Sequence, residues 1–318
     1  MISLDDVLAA RATIGDRVHR TPTLTSATLS RQVGAPVHLK AELFQRTGSF
    51  KPRGVLNKLA SLSAVEKARG VIGISAGNHA QALAYASTLE GIDALVVMWE
   101  DASEQKIAAT KAYGATVDLE ARTPAEAFGR LADLIEETGR VLVHPFDDPL
   151  IMAGQGTVGL ELMEDVPDAH TVVVPVGGGG LVSGVATAVK GIRPETRVVA
   201  VEPELAPSLH DALNAGRSVP VEPRSIADGL NAPFAGENAV EVCRERVDEV
   251  VLVSEDEIED AFRLLYTRAK LACEPAGAAS AAAIVSGKIA LETGSPVVLV
   301  VSGGNVAVHT ASAILAGR

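Results

Sequence analysis

Pro36-Val37-His38-Leu39-Lys40-Ala41-Glu42-Leu43, followed after one residue by Gln45-Arg46-Thr47-Gly48-Ser49-Phe50-Lys51-Pro52-Arg53-Gly54, reads as a strand running into a turn that opens a helix. Pro52 suits the first helical position, where its missing N–H is no loss, and this puts Lys51 at the cap. Val55, Leu56 and Leu59 continue the helical pattern. A lysine there lies in the positive field of a helix N-terminus and beside Arg46 and Arg53, which disfavours its ammonium form. A neutral amine is a nucleophile toward aldehydes, and pyridoxal phosphate is the aldehyde most used in amino-acid chemistry. The competing reading is a solvated lysine near a helix start.

Outward from this turn, strand and helix patterns alternate. An opening helix spans Leu4 to Val18 and leads through the turn Thr21-Pro22 to the lysine stretch. After it come Val71-Ile72-Gly73-Ile74, a helix from Asn78 to Leu89, Ala94 to Met98, and a helix from Ser103 to Tyr113. Thr116 to Leu119, a helix from Pro124 to Thr138, and Val141-Leu142-Val143 continue the series. A helix from Ala153 to Met163 precedes the runs Thr171 to Val176, Arg197 to Val201, Val250 to Val253 and Val297 to Val301, all short, continuous and β-branched. Such runs are buried on both faces, and the alternation implies parallel sheets covered by helices. The expected fold class is therefore α/β, in open, mostly parallel sheets with helices on both faces. Pro145-Phe146-Asp147-Asp148-Pro149 is the best hinge between two lobes, and the run Ala276 to Ala283 reads as a tightly packed helix.

The 318 residues suffice for one large or two medium domains. The chain is 47% hydrophobic but 3% aromatic, as buried parallel strands require. A formal charge of −12 argues against nucleic acid or an anionic membrane as partner. No apolar run reaches membrane-spanning length, and the first twenty residues lack a signal-peptide core, so a cytoplasmic protein is expected. Cys243 and Cys273 lack metal-ligand or disulfide spacing and are expected to be packing residues.

Three more loops stand at strand ends. Gly177, Gly178, Gly179 and Gly180 separate a buried strand from the helix Leu181 to Val189, leaving backbone N–H groups free to converge on a phosphate. A dinucleotide fold competes for this loop, because Glu202 lies about twenty residues on, where a ribose-binding acid would sit. GxGxxG in register is absent, with Val182 or Ser183 at the sixth position, and no P-loop motif occurs. A monophosphate cofactor fits better. Ser75-Ala76-Gly77-Asn78-His79-Ala80-Gln81 opens a helix after a strand and is a candidate carboxylate loop, and Ser302-Gly303-Gly304-Asn305 follows the last strand. Each loop alone reads as a cap or turn; together they mark one site.

QRTGSFKPRG, SAGNHAQ, PVGGGGLVSG and SGGN, in this order, resemble the fold-type II pyridoxal-phosphate enzymes, specifically the threonine dehydratase (threonine deaminase) and serine racemase branch. HPFDDPLIMAGQGTVGLE, VEPELAPSL, IADGL and CEPAGA extend the likeness over nearly the whole chain. The resemblance implies a two-lobed, tryptophan synthase β-like fold, with residues 1–70 and 148–318 forming a large cofactor domain and 71–147 a small substrate-loop domain. It implies that Lys51 forms the Schiff base, that Phe50 packs on the cofactor ring, that Asn78 meets the ring hydroxyl and that Gly177 to Gly180 hold the phosphate. Ser302 would meet the pyridine nitrogen, Gly229 and Glu274 would flank the ring, and Ser75, Asn78 and His79 would line the substrate carboxylate site. The implied activity is an L-threonine/L-serine ammonia-lyase, giving 2-oxobutyrate or pyruvate plus ammonia, in a cytoplasmic homodimer or tetramer. Alternatives are an amino-acid racemase, a dehydratase of another β-hydroxy amino acid such as hydroxyaspartate and, outside the family, a nucleotide-dependent dehydrogenase.

Several departures qualify the implied activity. A neutral Ser302 cannot hold the ring nitrogen protonated as a carboxylate would, which suits β-elimination over transamination. Ala76 stands where strong racemases carry a serine acid or base, so little racemisation is expected. The family's divalent-cation site would fall on Glu202 and the Ala206 carbonyl, with Ser208 in place of an acid, and a cation held this way would be weakly bound. Trp99 replaces a usual proline. Asn231 follows Asp228-Gly229-Leu230, where it would alter the preferred substrate if it reached the pocket. Without length for a C-terminal regulatory domain, feedback by isoleucine is not expected.

Overall fold

The computed structural model describes residues 1–100 and 102–317. In chain order the strands are β1 (Thr23–Thr25), β2 (Val37–Ala41), β3 (Val71–Ile74), β4 (Ala94–Trp99), β5 (Thr116–Ala121), β6 (Val141–Leu142), β7 (Thr171–Pro175), β8 (Arg197–Pro203), β9 (Glu249–Val253) and β10 (Val297–Val301). They form a six-stranded sheet ordered β1-β2-β10-β7-β8-β9 and a four-stranded sheet ordered β5-β4-β3-β6. Every pairing is parallel except β1 with β2. The run Val297 to Val301 is buried at every position and sits between β2 and β7, as a strand sandwiched between helical layers must.

The structure corrects several expected boundaries. The opening helix is Leu4–Ile14, started by a Ser3 capping box with Asp6 and followed by a 3₁₀ turn at Gly15–Arg17. The helix expected from Ala153 begins at Pro149, because the Asp148 carboxylate accepts from the N–H groups of Leu150 and Ile151 and Pro149 fits the first turn. β1 was not anticipated from the sequence. It is three residues long and pairs only at an edge, too short for a periodic signal.

The helix Pro149–Asp165 fixes the site from behind. A β-carbon on Gly154 would come within 2.5 Å of the Arg53 carbonyl, and one on Gly184 within 2.2 Å of the Met152 carbonyl and 2.5 Å of the Gly156 nitrogen. Only bare backbones allow these approaches. Pro149–Asp165 is thereby clamped between Pro52–Ala60, which carries Lys51 at its cap, and Gly180–Ile192, which the glycine loop opens.

Beside it lies a buried ion cluster. Arg53 donates from Nε and Nη2 to both Glu42 oxygens at 2.8 Å and from Nη1 and Nη2 to the two Glu161 oxygens at 2.7 and 2.9 Å. Lys40, fully buried, donates to Glu161 at 2.7 Å and to the Thr21 carbonyl at 2.7 Å. These two bidentate Arg53 contacts, side-on to Glu42 and end-on to Glu161, satisfy both carboxylates, which burial demands.

Candidate active site

Lys51 caps the helix Pro52–Ala60, with Pro52 at its first position. Part of its surface lines a cleft, and its Nζ donates to the Pro145 carbonyl at 2.7 Å. Burial lowers its ammonium to about pKa 8, against a smaller opposing pull from Glu274. The expected cause, the neighbouring arginines, is corrected here. Arg53 is turned away into Glu42 and Glu161, and Arg46 is exposed. Enclosure without a close counter-ion among the described residues makes this lysine a weak base.

The same cleft is lined by Phe50, Asn78, Gly177, Gly178, Gly179, Gly180, Gly229, Glu274 and Ser302. Backbone pairing holds the Lys51 and Ser302 loops together. Phe50 N–H donates to the Ser302 carbonyl at 3.2 Å, Gly304 N–H donates to the Gly48 carbonyl at 2.9 Å, and Ser49 bridges Gly303 antiparallel. The lysine loop is thus stitched to the loop after β10.

The glycine loop has the form of an anion cradle. Gly179 adopts φ +92° and caps the helix Gly180–Ile192, whose first N–H groups lack intrahelical acceptors. A β-carbon at Gly178 would lie 2.3 Å from the Phe146 ring, and one at Gly177 3.1 Å from the Leu230 backbone. Side chains here would collide with Phe146 and Leu230, so only a bare backbone can line this part of the cleft. This cradle and the weakly basic Lys51 amine facing the same cleft fit pyridoxal phosphate.

Asn78 Nδ2 donates to Glu274 Oε1 at 2.7 Å. Burial, reinforced by the charge of Asp228, raises the Glu274 carboxyl to about pKa 8, against the Asn78 hydrogen bond. Gly229 lies beside it: a β-carbon there would be 3.5 Å from Glu274 Oε1 and 3.8 Å from Asn78 Nδ2.

Ser75 Oγ accepts from the Gly77 N–H at 3.1 Å. The His79 ring is buried and turned from the cleft toward the four-stranded sheet, its Nε2 2.9 Å from the Val143 carbonyl. The carbonyl can only accept, so Nε2 carries the proton, and burial lowers the ring to about pKa 3, with the Lys51 charge adding to the effect. What His79 presents to a ligand at this loop is its backbone N–H in the first turn of Asn78–Glu90.

Asn231 does not reach the cleft. Its amide closes on the Ser225 backbone, accepting at 3.2 Å and donating at 2.8 Å. The two Glu202 oxygens accept from Leu209 N–H at 2.7 Å and His210 N–H at 2.8 Å, with Ser208 Oγ 3.1 Å away, so the carboxylate caps the helix Ser208–Ala215. Burial raises it to about pKa 7 despite these donors. Ala206 is buried nearby, and no cluster of three or more His, Cys, Asp or Glu side chains placed to hold a metal occurs among the described residues. Cys243 and Cys273 are buried, which pushes both thiols to about pKa 12.

Sequence reasoning missed three contributors. Pro145 and Phe146 line the cleft. The Asp147 carboxylate accepts from the N–H groups of Glu237 and Asn238, at 3.0 and 3.1 Å, tying the stretch read as a hinge to another helix start. The stretch around Asp147-Asp148-Pro149 reads in sequence only as a hinge, because the helix start that Asp147 caps lies ninety residues away.

The sequence model of the family described as "Pyridoxal-phosphate dependent enzyme" matches residues 14–303. An "L-threonine ammonia-lyase" of Thermotoga maritima is 45% identical over 99% of this chain and 78% of its own length. "L-threonine dehydratase catabolic TdcB" of Staphylococcus aureus is 45% identical over 99% of this chain and 92% of its own. Among solved structures, a threonine deaminase from T.th. superposes with TM-score 0.90 at 44% identity, covering 96% of this chain and 99% of that one. Maize serine racemase does so with TM-score 0.93 at 38% identity, covering 97% and 95%.

Proposed function

The chain belongs to the family of pyridoxal-phosphate dependent enzymes, and from that membership we propose that it is an L-threonine/L-serine ammonia-lyase. Its reaction is loss of water from a β-hydroxy amino acid and hydrolysis of the released enamine, giving 2-oxobutyrate or pyruvate plus ammonia. The observation that carries this reading is 45% identity, over 99% of the chain, to proteins named for threonine ammonia-lyase or dehydratase activity.

Pyridoxal phosphate bound in the cleft supplies an aldehyde for the lysine amine and an electron sink for the substrate α-carbon. The chain does the rest. Lys51 Nζ, its ammonium brought down to about pKa 8, would hold the cofactor through its amine and is placed to move the substrate α-proton. The N–H groups of Gly177 to Gly180 would hold the phosphate, with Phe50, Gly229 and Glu274, which line the same cleft, beside the ring. Asn78 would orient the ring through its hydroxyl, and the Ser302 hydroxyl, a neutral group, would meet the ring nitrogen without fixing a proton there. Ser75, Asn78 and the His79 N–H take the substrate carboxylate, at a helix start where anions are favoured.

The chain is also read as two lobes, 1–70 with 148–318 and 71–147. The confinement of β3 to β6 to their own sheet supports these boundaries. A cytoplasmic homodimer or tetramer acting on a small amino acid completes the reading. A net charge of −12 supports a small-molecule substrate over a nucleic acid. Among the described residues no helix is long and apolar enough to cross a membrane.

The test is to incubate the cofactor-loaded protein with L-threonine or L-serine, following 2-oxo acid release and the chirality of the remaining amino acid. Rapid 2-oxobutyrate without D- or allo-product is expected. Dominant inversion would make the protein a racemase and refute the role given to Ala76, whereas a bound cofactor with neither product would place the substrate elsewhere.

A further inference from the structure

We propose that Asn305 is a positioning residue that fixes which way the Asn78 amide faces, a role that rests on the cofactor reading above. Asn305 Nδ2 lies 2.7 Å from the Thr47 carbonyl and 2.7 Å from Asn78 Oδ1. A backbone carbonyl only accepts, so the Asn305 nitrogen must face it. Its second hydrogen then points at Asn78, which must answer with oxygen. Asn78 Nδ2 is thereby turned to Glu274 Oε1, 2.7 Å away.

Glu274 alone cannot impose this orientation. A buried carboxyl that holds its proton near neutrality can donate to an amide oxygen as readily as an ionised one accepts from an amide nitrogen. The direction comes from Thr47, an obligate acceptor relayed through Asn305.

The local backbone is shaped for this relay. Thr47 is β-branched yet held at φ +60°, a costly conformation that persists only where the surroundings impose it. Gly48 lies so close that a β-carbon would be 2.6 Å from Asn305 Oδ1. One asparagine therefore joins the lysine loop, the loop after β10 and the start of Asn78–Glu90. Asn78 Nδ2 keeps a second hydrogen with no protein acceptor among the described residues, on a side chain lining the cleft. That hydrogen is the one a ring hydroxyl oxygen would receive.

Asn305→Asp keeps the size and replaces both donors with acceptors. Measured on cofactor-loaded protein, the expected result is a shifted visible absorption band, an altered pH titration of that band, and about tenfold weaker cofactor retention in dialysis. The deciding measurement is a double-mutant cycle with Asn78→Ala. If Asn305 acts through Asn78, Asn305→Asp leaves the band and retention of the Asn78→Ala protein unchanged. Equal effects in both backgrounds, or an unfolding midpoint lowered with the band unmoved, would make Asn305 a structural residue and overturn the proposal. Should Asn305→Asp fail to fold, Asn305→Ser, which retains a single donor, enters the same cycle with the same criteria. Wild-type protein that develops no visible band with pyridoxal phosphate would overturn the cofactor reading, and this role with it.

Discussion

Lys51 and Arg53 lie two residues apart at one helix start, and the structure gives them opposite fates. Arg53 is fully enclosed with Glu42 and Glu161 laid against it; burial opposes its charge, but the two carboxylates raise its pKa further. Among the described residues Lys51 meets a backbone carbonyl and no close carboxylate, and its pKa falls to about 8. Burial is common to both, so burial by itself does not make a reactive cation. The missing counter-ion does. Helix geometry separates them, because residues two apart point to different sides of the turn: one faces the cleft, the other β2 and the helix Pro149–Asp165.

The largest test of this contrast is Lys51→Met. Turnover should fall by a factor of about 10³ or more, and borohydride should no longer fix the cofactor to the chain. The stability of the cofactor-free protein should nevertheless hold or rise, because the substitution leaves behind only the Pro145 carbonyl and no buried charge. Below pH 8 both folded and unfolded wild type hold the lysine proton, whereas from about 8 to the ordinary lysine value only the unfolded chain does. Wild-type stability therefore climbs over that window, and the Met variant should lack this climb in urea titrations. A drop in stability on Lys51→Met would break the contrast.

Arg53→Met should do the reverse. It leaves Glu42 buried without its cation and Glu161 with Lys40 alone, and unfolding in urea should show a loss of about 3–5 kcal/mol. Glu274→Gln sharpens the cleft side. With its folded pKa raised to about 8, Glu274 keeps its proton in the folded state after the unfolded chain has released it at the ordinary carboxyl value of 4.5. Its contribution is full below that value and is lost as pH rises through about 8, so the Gln variant should show a flatter decline between pH 5 and 8. The smallest effect should come from Lys106→Ala. It breaks the pair with Asp228, whose carboxylate is 53% exposed, and a denaturant titration should register no more than about 1 kcal/mol.

Sequence reading reached the cleft because its parts are local. Lys51 before Pro52, four glycines between a β-branched run and a helix, and Asn78 opening a helix each carry their geometry in a few neighbouring residues. It failed where a side chain chose a distant partner. Nothing near Arg53 names Glu161, over a hundred residues on; nothing near His79 shows that its ring turns to Val143; and Asn231 looked like a pocket residue until Ser225 took its amide. Such partners follow from packing between elements, which periodicity does not encode.

The seam between residues 48–50 and 302–304 also has a bearing on how the protein is made. β10 enters between β2 and β7, which cannot be joined without it. A ribosome adding 5–20 residues each second needs roughly 12–50 s to travel from Phe50 to Ser302. Throughout that interval the strand that completes the sheet is still to be made. The seam and the Asn305 staple arrive together with it, so the fall of the lysine toward pKa 8 waits on the far end of the chain and not on the helix start that carries the residue.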